Sequence, residues 1–308
     1  MRRAAFTLIE LIVATAITGL VGAAMVSTVT RQQRFHSAAS EMLGLRSQLR
    51  DAADVLTSDI RSAAVASHGL PLMTDSAIEM VTSIGSSVLC ETPSGATILL
   101  PPAKLANGNT LTSILAQPDD GDIAMLYGNP SASGSSATWE ALETVSFTAR
   151  SLASTCSPST GFTTAADAAA GSSGFAVTLS APPTAAVRKG APVRFLRRVR
   201  YSLYRSSDSR WYLGHRRCRV LPPAACTSVQ PVSGPYNQYS VGAGSGLGLR
   251  YYDTAGSELP AGGTGASVAR IDIVLRGAIG RDAGMAGDAR QRYRDSVVVS
   301  VSPRNRIR

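Results

Sequence analysis

Phe6-Thr7-Leu8-Ile9-Glu10 opens the stretch that decides the fold, because the twenty residues after it, Leu11 to Thr30, carry no charge. Wound as a helix rising about 1.5 Å per residue, they reach about 30 Å, the hydrocarbon thickness of a bilayer. A carboxylate at the edge of such a span is costly in lipid and is kept where it has a cationic partner and a task. The nearest candidate partner for Glu10 is an N-terminal amine. An ordinary secretory signal has an apolar core of about 7 to 15 residues ending in an A-x-A site. Ala14-Thr15-Ala16 fits that site, but Glu10 would interrupt the core and the uncharged run continues well past Ala16. A plain membrane anchor accounts for the span and leaves Glu10 unexplained. Arg2 and Arg3 precede the span, so the positive-inside tendency holds that end in the cytoplasm and sends the chain after Arg31 across the membrane.

Met1-Arg2-Arg3-Ala4-Ala5 followed by Phe6-Thr7-Leu8-Ile9-Glu10-Leu11 resembles the class III signal of type IV prepilins and type II secretion pseudopilins. The resemblance implies that prepilin peptidase cuts between Ala5 and Phe6 and methylates the new amine of Phe6. The family usually has Gly where this chain has Ala5. It also implies that Glu10 meets the N-terminal amine of a neighbouring subunit during filament assembly. The implied partners are the peptidase, other major and minor pilins or pseudopilins, and the inner membrane.

The helical signal continues beyond Arg31. Phe35, Ala38, Met42, Leu45, Leu49, Ala53, Leu56, Ile60 and Ala63 recur every three or four residues, with Arg46, Arg50, Asp54, Ser58 and Arg61 falling largely elsewhere. That is the pattern of an amphipathic helix. One helix from Phe6 to about Ala66 is expected, with Gly69 and Pro71 as its stop. Gly19 and Gly22 weaken it inside the span by about 1 kcal/mol each relative to Ala, or let neighbouring helices approach closely.

From Ser67 onward, short stretches of β-type composition alternate with Gly, Ser, Pro and Asn clusters. Ala77 to Thr82, Asp122 to Tyr127, Glu143 to Thr148, Gly174 to Leu179, Val193 to Tyr204, Arg210 to Leu213, Ala269 to Leu275 and Ser296 to Val301 read as strands. Alternation in the last two marks half-buried antiparallel strands. Ser131 to Thr138, Ser157 to Ser173 and Val241 to Gly265 read as exposed loops. The expected fold class is α+β: residues 1–5 a leader, 6–30 the transmembrane half of the helix, 31–66 its amphipathic half, and 67–308 a β-rich head. By resemblance this is the pilin lollipop, a long helix packed on an antiparallel sheet. Leu49-Arg50-Asp51, the run Leu56 to Ala63, and the tail Val301-Ser302-Pro303-Arg304-Asn305 resemble PilW-type minor pilins and J-type minor pseudopilins. The length of the head favours the PilW type.

Four cysteines, Cys90, Cys156, Cys218 and Cys226, lie outside the apolar span and allow three pairings. Cys218 with Cys226, around Pro222-Pro223, is the first choice and leaves Cys90 with Cys156. An oxidising compartment permits both bonds. Zinc is not expected, since no C-x-x-C occurs and His36, His68 and His215 are scattered.

The formal charge of +9 falls to +7 once Arg2 and Arg3 are removed, and Lys occurs only at Lys104 and Lys189. Arg197, Arg198, Arg200, Arg216 and Arg217 cluster among Tyr201, Tyr204, Trp211 and Tyr212. Basic residues interleaved with aromatics hold phosphates and stack on bases, so nucleic acid is a candidate partner, as are anionic lipid and lipopolysaccharide. The plainer reading is that alternate strand positions simply face water. Asp119, Asp120 and Asp122 lack the spacing of a calcium loop and read as a turn. No G-x-S-x-G elbow, Walker loop or H-E-x-x-H occurs. The expectation is a non-enzymatic subunit without cofactor or metal, working by assembly in a type IV pilus or pseudopilus, with DNA uptake or protein secretion as alternatives.

Overall fold

A single helix, α1 (Leu8–Ser62), runs for 55 residues, about 83 Å at the usual rise. It belongs to a computed structural model describing residues 7–64, 70–129, 138–221, 225–242, 244–262, 265–282 and 292–304. One face of its distal half is buried, at Leu45, Leu49, Ala52, Ala53, Leu56, Thr57 and Ile60. Each leucine or isoleucine removed from water there contributes about 1.5–3 kcal/mol. Phe35, expected on the same stripe, is instead exposed, because the head does not reach that far along the helix. The helix stops at Ser62, short of the expected Ala66. Ala63 turns extended (φ −61°, ψ 134°) and bridges Thr82, and the Ala64 amide donates to the Val81 carbonyl at 2.7 Å. A strand thus captures the chain before the glycine and proline stop, and Gly69 lies outside the described residues.

The strands are β1 (Leu72–Met73), β2 (Ala77–Val88), β3 (Thr97–Leu100), β4 (Ser113–Ile114), β5 (Ile123–Gly128), β6 (Thr138–Ser151) and β7 (Ser173–Leu179). There follow β8 (Pro192–Arg205), β9 (Trp211–Cys218), β10 (Gln230–Tyr236), β11 (Leu247–Tyr252), β12 (Glu258–Leu259), β13 (Arg270–Asp282) and β14 (Arg292–Val301). Ten of them form one sheet in the order β1-β2-β8-β5-β6-β7-β3, with β4 on β2, β9 on β8 and β10 on β9. The other four form a second sheet, β12-β11-β13-β14. Every pairing is antiparallel. The α+β lollipop is therefore the architecture found.

All eight expected strands are present, most of them longer than read. Two of the loops need correction. Val241 to Gly265 contains β11, whose Leu247, Leu249 and Tyr251 are buried against α1 and β13. Ser157 to Ser173 contains a 3-10 turn, Pro158–Thr160, and a short helix, Ala165–Ala169, with Thr160, Thr163 and Asp167 buried. Of the third loop, residues 131–137 lie outside the described residues, and Thr138 begins β6.

Two large cores and two small clusters, one at Val81, Ile123 and Leu196 and one at Cys90, Leu152 and Cys156, fill the described part of the head. In the first, the buried stripe of α1 meets Ile78 and Met80 of β2, Val199 and Tyr201 of β8, and Ile271, Ile273 and Leu275 of β13. A Cβ on Gly277 would stand 2.5 Å from Leu45 Cδ1, so the helix crosses β13 where a bare backbone lets it close in. At the same crossing Arg46 Nε contacts Asp295 at 2.9 Å, and its guanidinium lies over the Tyr293 ring. The second core, away from the helix, joins Leu89, Ile98, Leu100, Leu126, Val177 and Phe195.

Candidate functional site: the capped apolar helix and the arginine strands

Thr7 caps α1 from an extended conformation (φ −77°, ψ 149°). Glu10 Oε2 accepts from the Thr7 amide and from the Thr7 hydroxyl, each at 2.9 Å, while the Glu10 amide donates back to Thr7 Oγ1 at 3.4 Å. This reciprocal box satisfies amides that a helix start otherwise leaves open. It also holds the carboxylate in the first turn, at the end of the helix where negative charge is favoured. Ala5 and Phe6, the expected cleavage and methylation positions, lie outside the described residues. Beyond Glu10 the apolar side chains point outward: Leu20 is 74% exposed and Met25 64%. The hydroxyls of Thr15, Thr18, Thr28 and Thr30 all donate to carbonyls one turn back, which removes their cost in an apolar medium. The helix is long and apolar enough to cross a membrane, with none of its most apolar window buried in the protein's own fold.

The arginines at the middle of the head divide by strand face. Arg197 is buried, 6% exposed, and is a correction to its reading as a surface group. Its Nη2 lies 2.6 Å from Asp122 Oδ2 and 2.8 Å from the Gln117 carbonyl, with Nε 3.0 Å from Asp122 Oδ1. Arg198 pairs with Glu79 of β2, and Arg217 with Asp119 at 3.0 Å. Arg219, outside the expected set, contacts Glu143 at 3.2 Å. Arg200 stands opposite Arg216 in the β8–β9 register, and Arg216 Nε is buried without a hydrogen-bond partner among the described residues. The basic cluster is thus mainly a cross-strand lattice with acids. The same pairs absorb the aspartates: Asp122 serves Arg197 and accepts from the Asp119 amide at 2.8 Å, which makes the stretch a turn.

Cys90 is bonded to Cys156 and Cys218 to Cys226. Pro222 and Pro223 lie outside the described residues. Glu79, Cys218 and Cys226 bring ligand-type atoms within 4.8 Å of one another. Both sulfurs are consumed by the disulfide and the carboxylate by Arg198, so the trio offers a cation no free thiolate. His36 is exposed on α1, whereas His215 lies against the Tyr201 ring at 5.2 Å, and burial lowers its pKa.

The family model described as the prokaryotic N-terminal methylation motif matches residues 1–26. No curated protein and no solved structure matches the chain. The motif, with the exposed apolar helix behind it, supports a type IV pilin or pseudopilin processed by prepilin peptidase, anchored by one membrane-spanning segment. The motif implies cleavage by the peptidase and assembly with other pilins.

Proposed function

We propose that the protein is a minor pilin or pseudopilin that has no catalysis of its own and acts by assembly, in the initiating or tip complex of a filament. Prepilin peptidase removes residues 1–5 and methylates Phe6; residues 6–30 sit in the inner membrane, and the head projects into the periplasm. The observation that carries this reading is Glu10, fixed in the first turn of a helix whose most apolar stretch is left uncovered by the protein's own fold. In lipid an unpaired carboxylate is expensive, so a neighbouring subunit's Phe6 amine neutralises it and sets the axial register of the two helices. The length of the head favours a PilW-type pilin over a J-type secretion pseudopilin. DNA capture is the weaker reading, since Arg197, Arg198 and Arg217 already face acids.

The test compares wild type with Glu10→Ala in membrane and sheared-filament fractions, with the N-terminal residue identified by mass spectrometry. An N-methylated Phe6 in both proteins is expected, with the variant inserted in the membrane but missing from filaments. An intact Met1, or unchanged incorporation of the variant, overturns the proposal.

A further inference from the structure

A cleft of about 730 Å³ opens where the two sheets meet, far from the apolar helix start and separate from the arginine lattice. Its walls come from the β8–β9 turn, the end of β10 with the loop after it, and the adjoining ends of β13 and β14. Arg205, Arg210 and Arg294 line it, and no carboxylate does among the described residues. None of the three makes an ion pair among the described residues, in contrast to Arg197, Arg198, Arg217 and Arg219. Asp208, on the same turn as Arg210, spends one oxygen on the Tyr212 hydroxyl (2.7 Å) and the other on the Arg210 amide (3.0 Å).

Half-buried Trp211 offers the cleft a rigid ring. The other aromatic, Tyr236, is 6% exposed, and its hydroxyl is committed to Ser233 and the Gln48 carbonyl. Asn237 and Gln238 add amides that both donate and accept. Single-stranded nucleic acid is held on a series of aromatic platforms along a basic track. This open cleft has one available ring rather than a series, with three guanidiniums and neutral amides around it. The amides suit hydroxyls, the indole face suits one ring, and planar guanidiniums recognise carboxylate or phosphate in bidentate fashion. Its volume is that of a small-molecule site.

We propose that this cleft binds an acidic saccharide, a sugar ring carrying carboxylate or phosphate, with Trp211 against the ring and Arg205, Arg210 and Arg294 on its anionic groups. The proposal is independent of the assembly mechanism and gives the head a ligand at the surface.

The chain has two tryptophans, so Trp139→Phe leaves Trp211 as the one reporter. Full-length protein in neutral detergent is titrated with a galacturonate oligomer, a sugar phosphate, neutral maltohexaose and a single-stranded oligonucleotide. The expected result is a saturable change in Trp211 emission with one or both acidic sugars, weaker at 500 mM than at 50 mM salt because the guanidiniums are solvent-screened, on the order of the screening expected for exposed charges. Carboxylate and phosphate arms identify which anion is preferred. Arg210→Gln and Arg294→Gln should each weaken binding about tenfold, the scale of a lost charged hydrogen bond. Arg210→Lys should recover part of the loss, and Arg188→Gln, at a distant site, none should be lost. The proposal is overturned by silence toward both acidic sugars, by equal binding of maltohexaose, by indifference to the arginine substitutions, or by tighter binding of the oligonucleotide, which would make the cleft a nucleic-acid site.

Discussion

The hydroxyl of Tyr201, in the middle of β8, donates to Asp59 Oδ2 of α1 at 2.6 Å, joining residues 142 positions apart. Burial first, and then the Asp59 charge, push the phenol's pKa far above its usual value of 10, so it remains a donor. The bond fixes the rotation of the last turns of the helix over the large sheet, which apolar contacts alone leave loosely specified. Tyr201→Phe keeps the ring and deletes this bond. It should cost about 1–3 kcal/mol, the usual value of a hydrogen bond to a charged group, read from the denaturant midpoint of the full-length protein in micelles. A variant as stable as wild type would show that the ring does all the anchoring.

Arg197 and Asp122 make a stronger demand, because both side chains are about 7% exposed. Removing one partner strands the other charge in a medium that cannot solvate it. Arg197→Met or Asp122→Leu alone should destabilise by about 3–5 kcal/mol, and the double substitution by less than either. Equilibrium unfolding of the three variants checks the non-additivity. A double variant that simply sums the two losses would place the pair in better-solvated surroundings than its burial indicates.

The two disulfides should contribute unequally. Cys90–Cys156 spans 66 residues and Cys218–Cys226 spans 8. Loop-closure entropy gives about 4 kcal/mol for the first and about 2.5 kcal/mol for the second. Cys90 and Cys156 are also fully buried, while Cys226 is exposed. Graded reductant followed by mass mapping of alkylated thiols should therefore label Cys218 and Cys226 first. Cys90→Ser/Cys156→Ser should lower the melting temperature more than Cys218→Ser/Cys226→Ser.

Asp167 gives an acid-side signature. Its carboxylate accepts from the Ala106 amide at 2.6 Å, the largest influence, and from the Thr164 hydroxyl and amide at 2.7 and 2.6 Å. These bonds hold its pKa below the ordinary 3.8. Since the folded state binds this proton less readily than the unfolded chain, the stabilisation is complete above the unfolded value. It is lost as the pH falls from there through the folded pKa. Asp167→Asn should flatten the stability–pH curve below about pH 4 relative to wild type, measured by denaturation at constant ionic strength. Identical acid slopes would mean that the unfolded chain retains the same contacts.

The legible parts of this protein are the local ones. Thr7 and Glu10 are three residues apart, and the box between them follows from sequence spacing. Ile271, Ile273 and Leu275 alternate cleanly and form a strand as read. β11 carries an equal alternation at Leu247, Leu249 and Tyr251, but glycine and serine on both sides disguised it as loop. β10 was hidden by Pro231 and Pro235, which argue against a strand unless, as here, it lies at an edge. Arg197 looked like a solvated strand residue because its partner Asp122 lies 75 positions away. The cleft around Trp211 draws on segments from β8 to β14, and nothing short of the tertiary fold brings them together.

The pairing of β2 with β8 sets a condition on how the protein is made. Ala77 meets Ser202, and Val88 meets Pro192, so β2 has no partner on that side until more than a hundred further residues have been delivered. Closing so wide a loop before any reward is slow, and the wait leaves a bare strand edge beside the sticky face of α1. A chain already tethered to lipid at one end must pass through this interval at high local concentration. Yield in expression should therefore depend on how long that edge stays bare more than on the stability of the finished fold.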